Sequence, residues 1–559
     1  MDTDLRFDVG THPPEYSGRQ DEFVFEQDRI WEFNHRHKAV LANYDIVLDA
    51  CTIITLSDRI NGRSNLGALR NRQLRQSVIL SAGLAAVAVA LHGRGSLTRV
   101  PKHHVTKELQ NRLKRANDRT AAQVMAEVLQ TTTETLPEGE QVLIESAITE
   151  GARIKPGKEP GGNPTIPVGA VFGLDRHRAD YGLSMPRSVT QLSMGSDVID
   201  GTTKSIKGLH SSLTALFITE ANVKRHLPDI YVQRWMGGAF FPEFNPREAK
   251  LLEAADIIAR AYGHSDIGRL SAFFLDRPRH ETPISILNKA GISTPMDKDG
   301  DLLPGVILGI DGLKFSDGRG LTSMIGEIGG SAEWALGVLP LVWRGGQAIG
   351  MLTSQSSLTR KDHSPEDRWK ERFHFTEEEF LLIQDARFER KPYFTIDDII
   401  DDPFAGGVSA FGGITDNRYL PFMHGVETDA NNQQITVSVL VINSLGTVEC
   451  WQMAFKCNQN LEHTTNLVGS PKAQLAELNG SDLQRAIAGM LENEHMSRRF
   501  RIFFDNEYYP ALIPVRDRIV LLQRAVRGLV ERGVLDDRDR EIIKAAQQYA
   551  PDWFINSDS

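Results

Sequence analysis

Short apolar runs alternate with longer amphipathic stretches through the middle of this chain. Between about residues 190 and 350, the runs LTALFIT (213–219), LSAFFL (270–275) and GVILGI (305–310) are separated by stretches of helical period such as REAKLLEAADIIARAY (247–262). That alternation predicts a layered α/β body, with chemistry placed at the ends of the apolar runs. Residues 105–131 carry Leu109, Leu113, Val124, Val128 and Leu129 at helical spacing. Residues 432–455 read as a hairpin turning at Gly446. From Ser470 onward the pattern is helical, with cap chemistry at Ser470-Pro471 and Ser481-Asp482 and two amphipathic stretches between Asp517 and Ala546. Ser77–Leu91 is apolar throughout, but it is shorter than the roughly 18–20 residues that span a bilayer, so it reads as a core helix.

Composition narrows the classes. At 559 residues the chain holds two to four domains' worth of sequence. We divide it into an N-terminal extension (1–75), a catalytic body (76–458, two α/β lobes meeting near 245–265) and a helical C-terminal addition (459–559). A net charge of −10 disfavours a dedicated nucleic-acid binder, although the arginines of 59–75 and 497–501 keep a polyanion reading open. For the 59–75 run a solvated helix face is preferred to an anion patch. Three scattered cysteines (Cys51, Cys450, Cys457) make neither a disulfide framework nor a zinc site, and the polar start MDTDLRFDVG is no secretory signal, which points to the cytoplasm. The Pro/Gly segment 155–168 lacks the ending of a P-loop.

The sharpest local signal is Asp197-Val198-Ile199-Asp200-Gly201-Thr202. Two carboxylates three residues apart, a backbone carbonyl at Ile199, a glycine for the tight turn and a threonine hydroxyl for a water together suit a hard divalent cation. A capped turn before a helix is the plain alternative for the motif alone.

Asp-x-Ile-Asp-Gly-Thr is the signature of metal-dependent sugar phosphatases, the superfamily of inositol monophosphatase and fructose-1,6-bisphosphatase. The chain resembles the class II (GlpX-type) fructose-1,6-bisphosphatases in particular, over roughly residues 75–455. SAGLAAVAVALHGRG (81–95) resembles that family's first helix and Gly-Arg-Gly turn, and NDRTAAQVMAEVL (117–129) its next helix, with Asp118 on a metal position. VLIESAITEG (142–151) resembles the strand bearing a metal-binding glutamate, matched here to Glu145. DIYVQR (229–234), RPRHE (277–281), DGD (299–301), IGGSAE (328–333) and SAFGGIT (409–415) follow in the family's order.

The resemblance implies a layered α-β-α-β-α phosphatase fold and hydrolysis of a sugar phosphate, fructose 1,6-bisphosphate or a related mono- or bisphosphate. It implies Mg²⁺ or Mn²⁺ on Asp118, Glu145, Asp197, Ile199, Asp200 and Glu333. Five carboxylates converging from separate segments repel one another unless a cation joins them. Metal-bound water, oriented by Thr202 and Glu145 beside Asp118, is expected to attack phosphorus in line. Arg277 and Arg279 are expected to grip phosphate, Gly330 and Ser331 to offer backbone N–H groups, Asp299 and Asp301 to accept from sugar hydroxyls, and Tyr231 and Arg234 to line the substrate. A homodimer or homotetramer acting on a small molecule, without nucleic acid or membrane, completes the expectation. Ser96-Leu97-Thr98 stand where the family has Asp-Lys-Asn, about 18 residues are inserted near 99–116, and Trp334 adds bulk beside Glu333. Those departures support the alternative of a metal-dependent sugar-phosphate binding protein or scaffold.

Overall fold

The computed structural model describes residues 15–16, 18, 20–57, 62, 64–137, 139–151, 164–166, 168–173, 189–223, 232–246, 249–308, 310, 312–314, 319–351, 393–429 and 433–457. The C-terminal addition and most of the 155–168 loop lie outside them.

In chain order the N-terminal part supplies β1 (Glu15–Tyr16), β2 (Asp21–Val24), α1 (Gln27–Arg36), α2 (Lys38–Asn43) and β3 (Ile46–Ser57). Then come α3 (Arg72–His92), α4 (Lys107–Glu134), β4 (Val142–Thr149), β5 (Val171–Phe172), β6 (Thr190–Asp200), α5 (Thr202–Lys207) and β7 (Leu213–Thr219). The second half of the body runs β8 (Val232–Gly237), α6 (Leu251–Ala261), β9 (Ala272–Leu275), α7 (Glu281–Lys289), β10 (Met296–Asp297) and α8 (Leu302–Val306). It continues through β11 (Leu313–Lys314), β12 (Ser323–Ile328), α9 (Ser331–Trp343) and β13 (Gln347–Met351). The chain then returns through α10 (Ile396–Ile399), β14 (Gly407–Gly413), β15 (Glu427–Asp429), β16 (Gln434–Asn443) and β17 (Val448–Cys457).

The fold is mixed α/β. A ten-stranded sheet runs β2-β3-β17-β16-β14-β7-β6-β4-β5, with β15 added beside β16, and a five-stranded sheet runs β10-β9-β12-β8-β13. One apolar cluster joins α3 and α4 to the large sheet through residues such as Val78, Val89, Met125 and Val439. A second, with Phe217, Met236, Trp334 and Leu440, joins α9 and both sheets, and a third seals α6 and α7 onto the small sheet through Trp235, Ile258 and Leu287.

Several expectations change at this level. The apolar helix is longer than its apolar stretch: α3 starts at Arg72, where Asn71 caps it by accepting from the Leu74 N–H at 3.1 Å. By length and composition this helix passes for a membrane span, yet 83% of its most apolar 18-residue window is buried, covered by α4, β7, β14 and β16. An apolar run buried on every side by protein needs no lipid to explain it. The inserted residues near 107–116 simply lengthen α4, which Thr106 caps. The run GVILGI is not a strand. Its start closes the short helix α8, because the preceding Asp301 and Leu302 N–H groups are held by Asp200.

The N-terminal extension supplies strands to the body's own sheet. β3 pairs with β17 from Ile46–Cys457 to Ser57–Val448, and β2 pairs outside it. Without β3 the long strand β17 would be an unpaired edge. The predicted hairpin is present, with β16 and β17 turning at Gly446, where φ is +92°.

Candidate functional site

The motif around Asp200 is built by a break in strand pairing. Residues three apart on an unbroken strand point to opposite faces. The β6–β7 register shifts between Asp197 and Asp200, and the two carboxylates act on each other. Gly201 takes φ +77°, which lets the chain turn straight into α5. Thr202 then donates from its hydroxyl toward the Asp118 carboxylate and the Ile199 carbonyl, each at 3.2 Å. Residues of the motif are thus tied to Asp118, which comes from the distant helix α4.

The expected Gly-Arg-Gly turn holds this arrangement in place. Gly95 donates its N–H to the Ser205 carbonyl at 2.9 Å, and the Asn117 side chain, packed against Gly93, donates to the Ser205 hydroxyl at 2.9 Å. Arg94 donates to the carbonyls of Ile414 and Val426, so it fastens the turn to the end of β14. Arg94 therefore serves the scaffold.

Asp197, Asp200, Asp118 and Asp301 are all buried, at 3–5% exposure. Burial pushes Asp118 up to about 7, against small opposing help from Thr202. Asp200 is pushed up to about 8, first by burial and then by Asp301, even though Lys204 and the Leu302 N–H pull the other way. Asp197 is raised well above the usual carboxylate range, by burial and then by the charges of Glu150, Asp200, Asp118 and Asp301. Loss of water and mutual repulsion outweigh the hydrogen bonds here. Such a group needs either protons or a cation. Among the described residues no three Asp, Glu, His or Cys side chains stand close enough to cage a metal ion. The donor set nevertheless fits a hard cation: carboxylates, the Ile199 carbonyl and a hydroxyl, with no thiol or imidazole among them.

Opposite the acids, the small sheet presents Arg234. It is 1% exposed, and its Nη1 lies 3.6 Å from Asp301. Its strand neighbours are Gly326 and Gly350, and the Phe394 ring fills the space that a side chain on Gly350 would take. Charges on Asp301, Glu333 and Asp200 all favour its cation, against the burial that disfavours it. Glu333, in the first turn of α9, folds back so closely over Gly329 that a methyl group there would fall on its carboxylate. Gly330 caps α9 and accepts the Trp334 N–H at 2.9 Å. Arg277 lies half-exposed, 3.8 Å from Asp299 and donating to the Lys298 carbonyl. It is carried on a turn anchored by His280, whose ring donates to the Leu275 carbonyl at 2.6 Å.

The structure separates one expected residue from the rest. Glu145 is exposed and pairs with Ser193 in the middle of β4, far down the strand from Asp197. Glu150 follows the end of β4, donates its N–H to the Ser196 carbonyl at 2.9 Å and contributes its charge to Asp197. The expected glutamate thus lies away from the acids, while a second glutamate of the same segment acts on Asp197. The β4–β6 register brings position 150 beside the acids. Trp334 also departs from expectation: it is fully buried against Phe394, with ring centroids 4.8 Å apart, and adds no bulk to the site. Tyr231 and the side chains of Arg279 and Ser331 lie outside the described residues.

Lys204, Asp297 and Tyr419 were not foreseen. Lys204 sits two residues beyond the motif and meets Asp297 of β10 at 2.7 Å, both nearly fully buried. The Tyr419 hydroxyl donates to the same Asp297 oxygen at 2.9 Å. The available signal was the position of Lys204 on the helix that the Asp-Gly-Thr turn opens.

Comparison with known proteins finds one family over the second half of the chain. Residues 186–454 match the family model of bacterial fructose-1,6-bisphosphatase, glpX-encoded. The D-fructose 1,6-bisphosphatase class 2/sedoheptulose 1,7-bisphosphatase of Synechococcus sp. (strain JA-2-3B'a(2-13)) is 24% identical over 243 residues, 43% of this chain and 63% of the relative. The protein of the same description from Synechococcus sp. (strain JA-3-3Ab) is 23% identical over the same coverage. The chain thus spans just under two thirds of the length of these curated relatives. The match contains Asp197, Asp200, Arg234, Asp301 and Glu333, whereas Asp118 and Glu150 come from segments before it.

Proposed function

We propose that this protein is a divergent member of the GlpX-type fructose-1,6-bisphosphatases, hydrolysing a sugar phosphate, of the mono- or bisphosphate class, with Mg²⁺ or Mn²⁺. The observation that carries the reading is the burial of Asp118, Asp197 and Asp200 around one threonine, with their proton affinities raised by burial and, at Asp197 and Asp200, by neighbouring carboxylates. The family match and the names of the relatives support phosphomonoester hydrolysis.

Asp118, Asp197, Asp200 and the Ile199 carbonyl are the proposed cation ligands, with Glu150 taking the place expected for Glu145. A divalent cation bound there supplies charge neutralisation for the phosphoryl group and lowers the pKa of water. Thr202, fixed by Asp118 and Ile199, orients a water through its hydroxyl oxygen. Arg234 and Arg277 face the phosphoryl oxygens or a second phosphate, where planar guanidinium groups bond in pairs. Asp299 and Asp301 accept from sugar hydroxyls, and Gly330, at the start of α9, offers its N–H to a phosphate. Lys204 and Tyr419 hold Asp297 and so fix α5 against β10.

The test is inorganic phosphate release from a panel of sugar mono- and bisphosphates with Mg²⁺, with Mn²⁺ and with chelator. Release from one substrate class that stops with chelator and with Asp200→Asn is expected. Metal-dependent binding of the sugar phosphates with no release from any of them would overturn the hydrolase reading in favour of a binding protein.

A further inference from the structure

A cavity of about 330 Å³ opens where α1 lies over the start of α3 and the outer strands of the large sheet. Its volume is in the range of small-ligand sites. Arginines reach it from two elements, Arg29 and Arg36 from α1 and Arg72 and Arg75 from α3. Two carboxylates line it, Glu32 and Glu449, leaving two positive charges in excess. Glu32 is taken by both Arg36 and Arg72, the latter at 3.3 Å. Glu449 accepts the Trp451 indole N–H at 2.8 Å.

Arg29 and Arg75 have no carboxylate within 4.0 Å among the described residues. The Arg29 guanidinium lies 4.5 Å from the centre of the Phe23 ring, and Arg75 donates to the Leu69 carbonyl at 3.0 Å. Burial lowers the pKa of Arg75 from the usual arginine value, the Glu449 charge opposes that and the Arg72 charge adds to it, so a further anion between Arg72 and Arg75 is favoured. Around these cations the wall also offers Asn443 and Thr447, with Phe25 and Trp451 as an apolar floor. Nothing in this arrangement belongs to the acid-lined site. α3 has 21 residues, about 30 Å of helix, with the cavity at its start and the Gly-Arg-Gly turn at its end.

We propose that this cavity is a second binding site, for a compact phosphate-bearing anion. Guanidinium groups converging from two helices suit the several oxygens of a phosphate better than the flat pair of a carboxylate, and two excess positive charges match a phosphate dianion. The arginines of the 59–75 run thus divide. Arg72 and Arg75 turn into a cavity that the N-terminal residues close, and they are not merely a solvated face.

Calorimetric titration of the full chain with inorganic pyrophosphate, in chelator so that no divalent cation sits on the acids, tests the site. One binding event that weakens as salt rises is expected. The double variant Arg29→Gln/Arg75→Gln should weaken it at least tenfold, and Arg29→Gln alone, at an exposed position that the fold tolerates, by a smaller factor. Arg234→Gln should leave it within twofold. Absence of binding, unchanged affinity in a folded double variant, or loss in Arg234→Gln alone would each overturn the proposal.

Discussion

The acid-lined site and the arginine-lined cavity both gather like charges, and the molecule treats them differently. Asp197 and Asp200 are buried to 3% and 5% exposure, whereas in the cavity Arg29 is exposed and Arg75 half-buried. A carboxylate starved of water can take a proton, which is the direction Asp118, Asp197 and Asp200 move. A guanidinium has no such escape, since it stays charged at any accessible pH. Arginines without a carboxylate are therefore left partly wet, and the one fully buried arginine of the site, Arg234, lies beside Asp301. Burial of like charge here marks a place that waits for a counter-charge. Exposure marks one that can do without it.

The hardest blow to this contrast falls on Asp200. Asp200→Asn should reduce phosphate release on the order of a thousandfold or more, because it takes the charge from a proposed cation ligand while its amide oxygen still accepts from the start of α8. In chelator the same variant should melt no lower than wild type, since a repelling carboxylate has gone; a large drop in melting temperature would contradict the claim of mutual repulsion.

Lys204→Met tests a buried charge that does have its partner. Leaving Asp297 buried without its cation should cost about 3–5 kcal/mol in urea unfolding. A cost below about 1 kcal/mol would mean that Tyr419 alone satisfies Asp297.

A buried base provides the mirror image of the acids. His37 is driven down to about 4 from 6.5, chiefly by burial, with Gln76 opposing from 3.2 Å. The unfolded chain accepts a proton in that window and the folded chain refuses it, so this contribution is complete above pH 6.5 and is lost as pH falls toward 4. Between pH 7 and 5, wild type should lose about 2 kcal/mol more in urea unfolding than His37→Gln does. Equal pH slopes for the two proteins would refute the assignment.

The finest test separates two glutamates five residues apart. Glu150→Gln should lower kcat/KM about ten- to a hundredfold, while Glu145→Gln should leave it within about twofold, as expected for an exposed side chain. The reverse pattern would restore the glutamate first expected from the sequence.

Much of this protein is legible in local chemistry. The Asp-x-Ile-Asp-Gly-Thr turn, the core helix α3, the capped helix α4 and the hairpin at Gly446 each depend on contacts within a few residues or on a repeating apolar pattern. These appear in the sequence because the residues that cause them are neighbours along the chain. The position of Glu150 beside Asp197 rests on the register of β4 against β6, the burial of Trp334 on its contact with Phe394, and the Lys204–Asp297–Tyr419 contact on segments more than 90 residues apart. The arginine cavity likewise exists only because residues 20–57 fold back across the start of α3. Sequence by itself determined which side chains carry charge and which turns are tight. Only the tertiary structure decided which charges lose their water and which find a partner, because burial and distance are set by packing between segments that no local pattern relates.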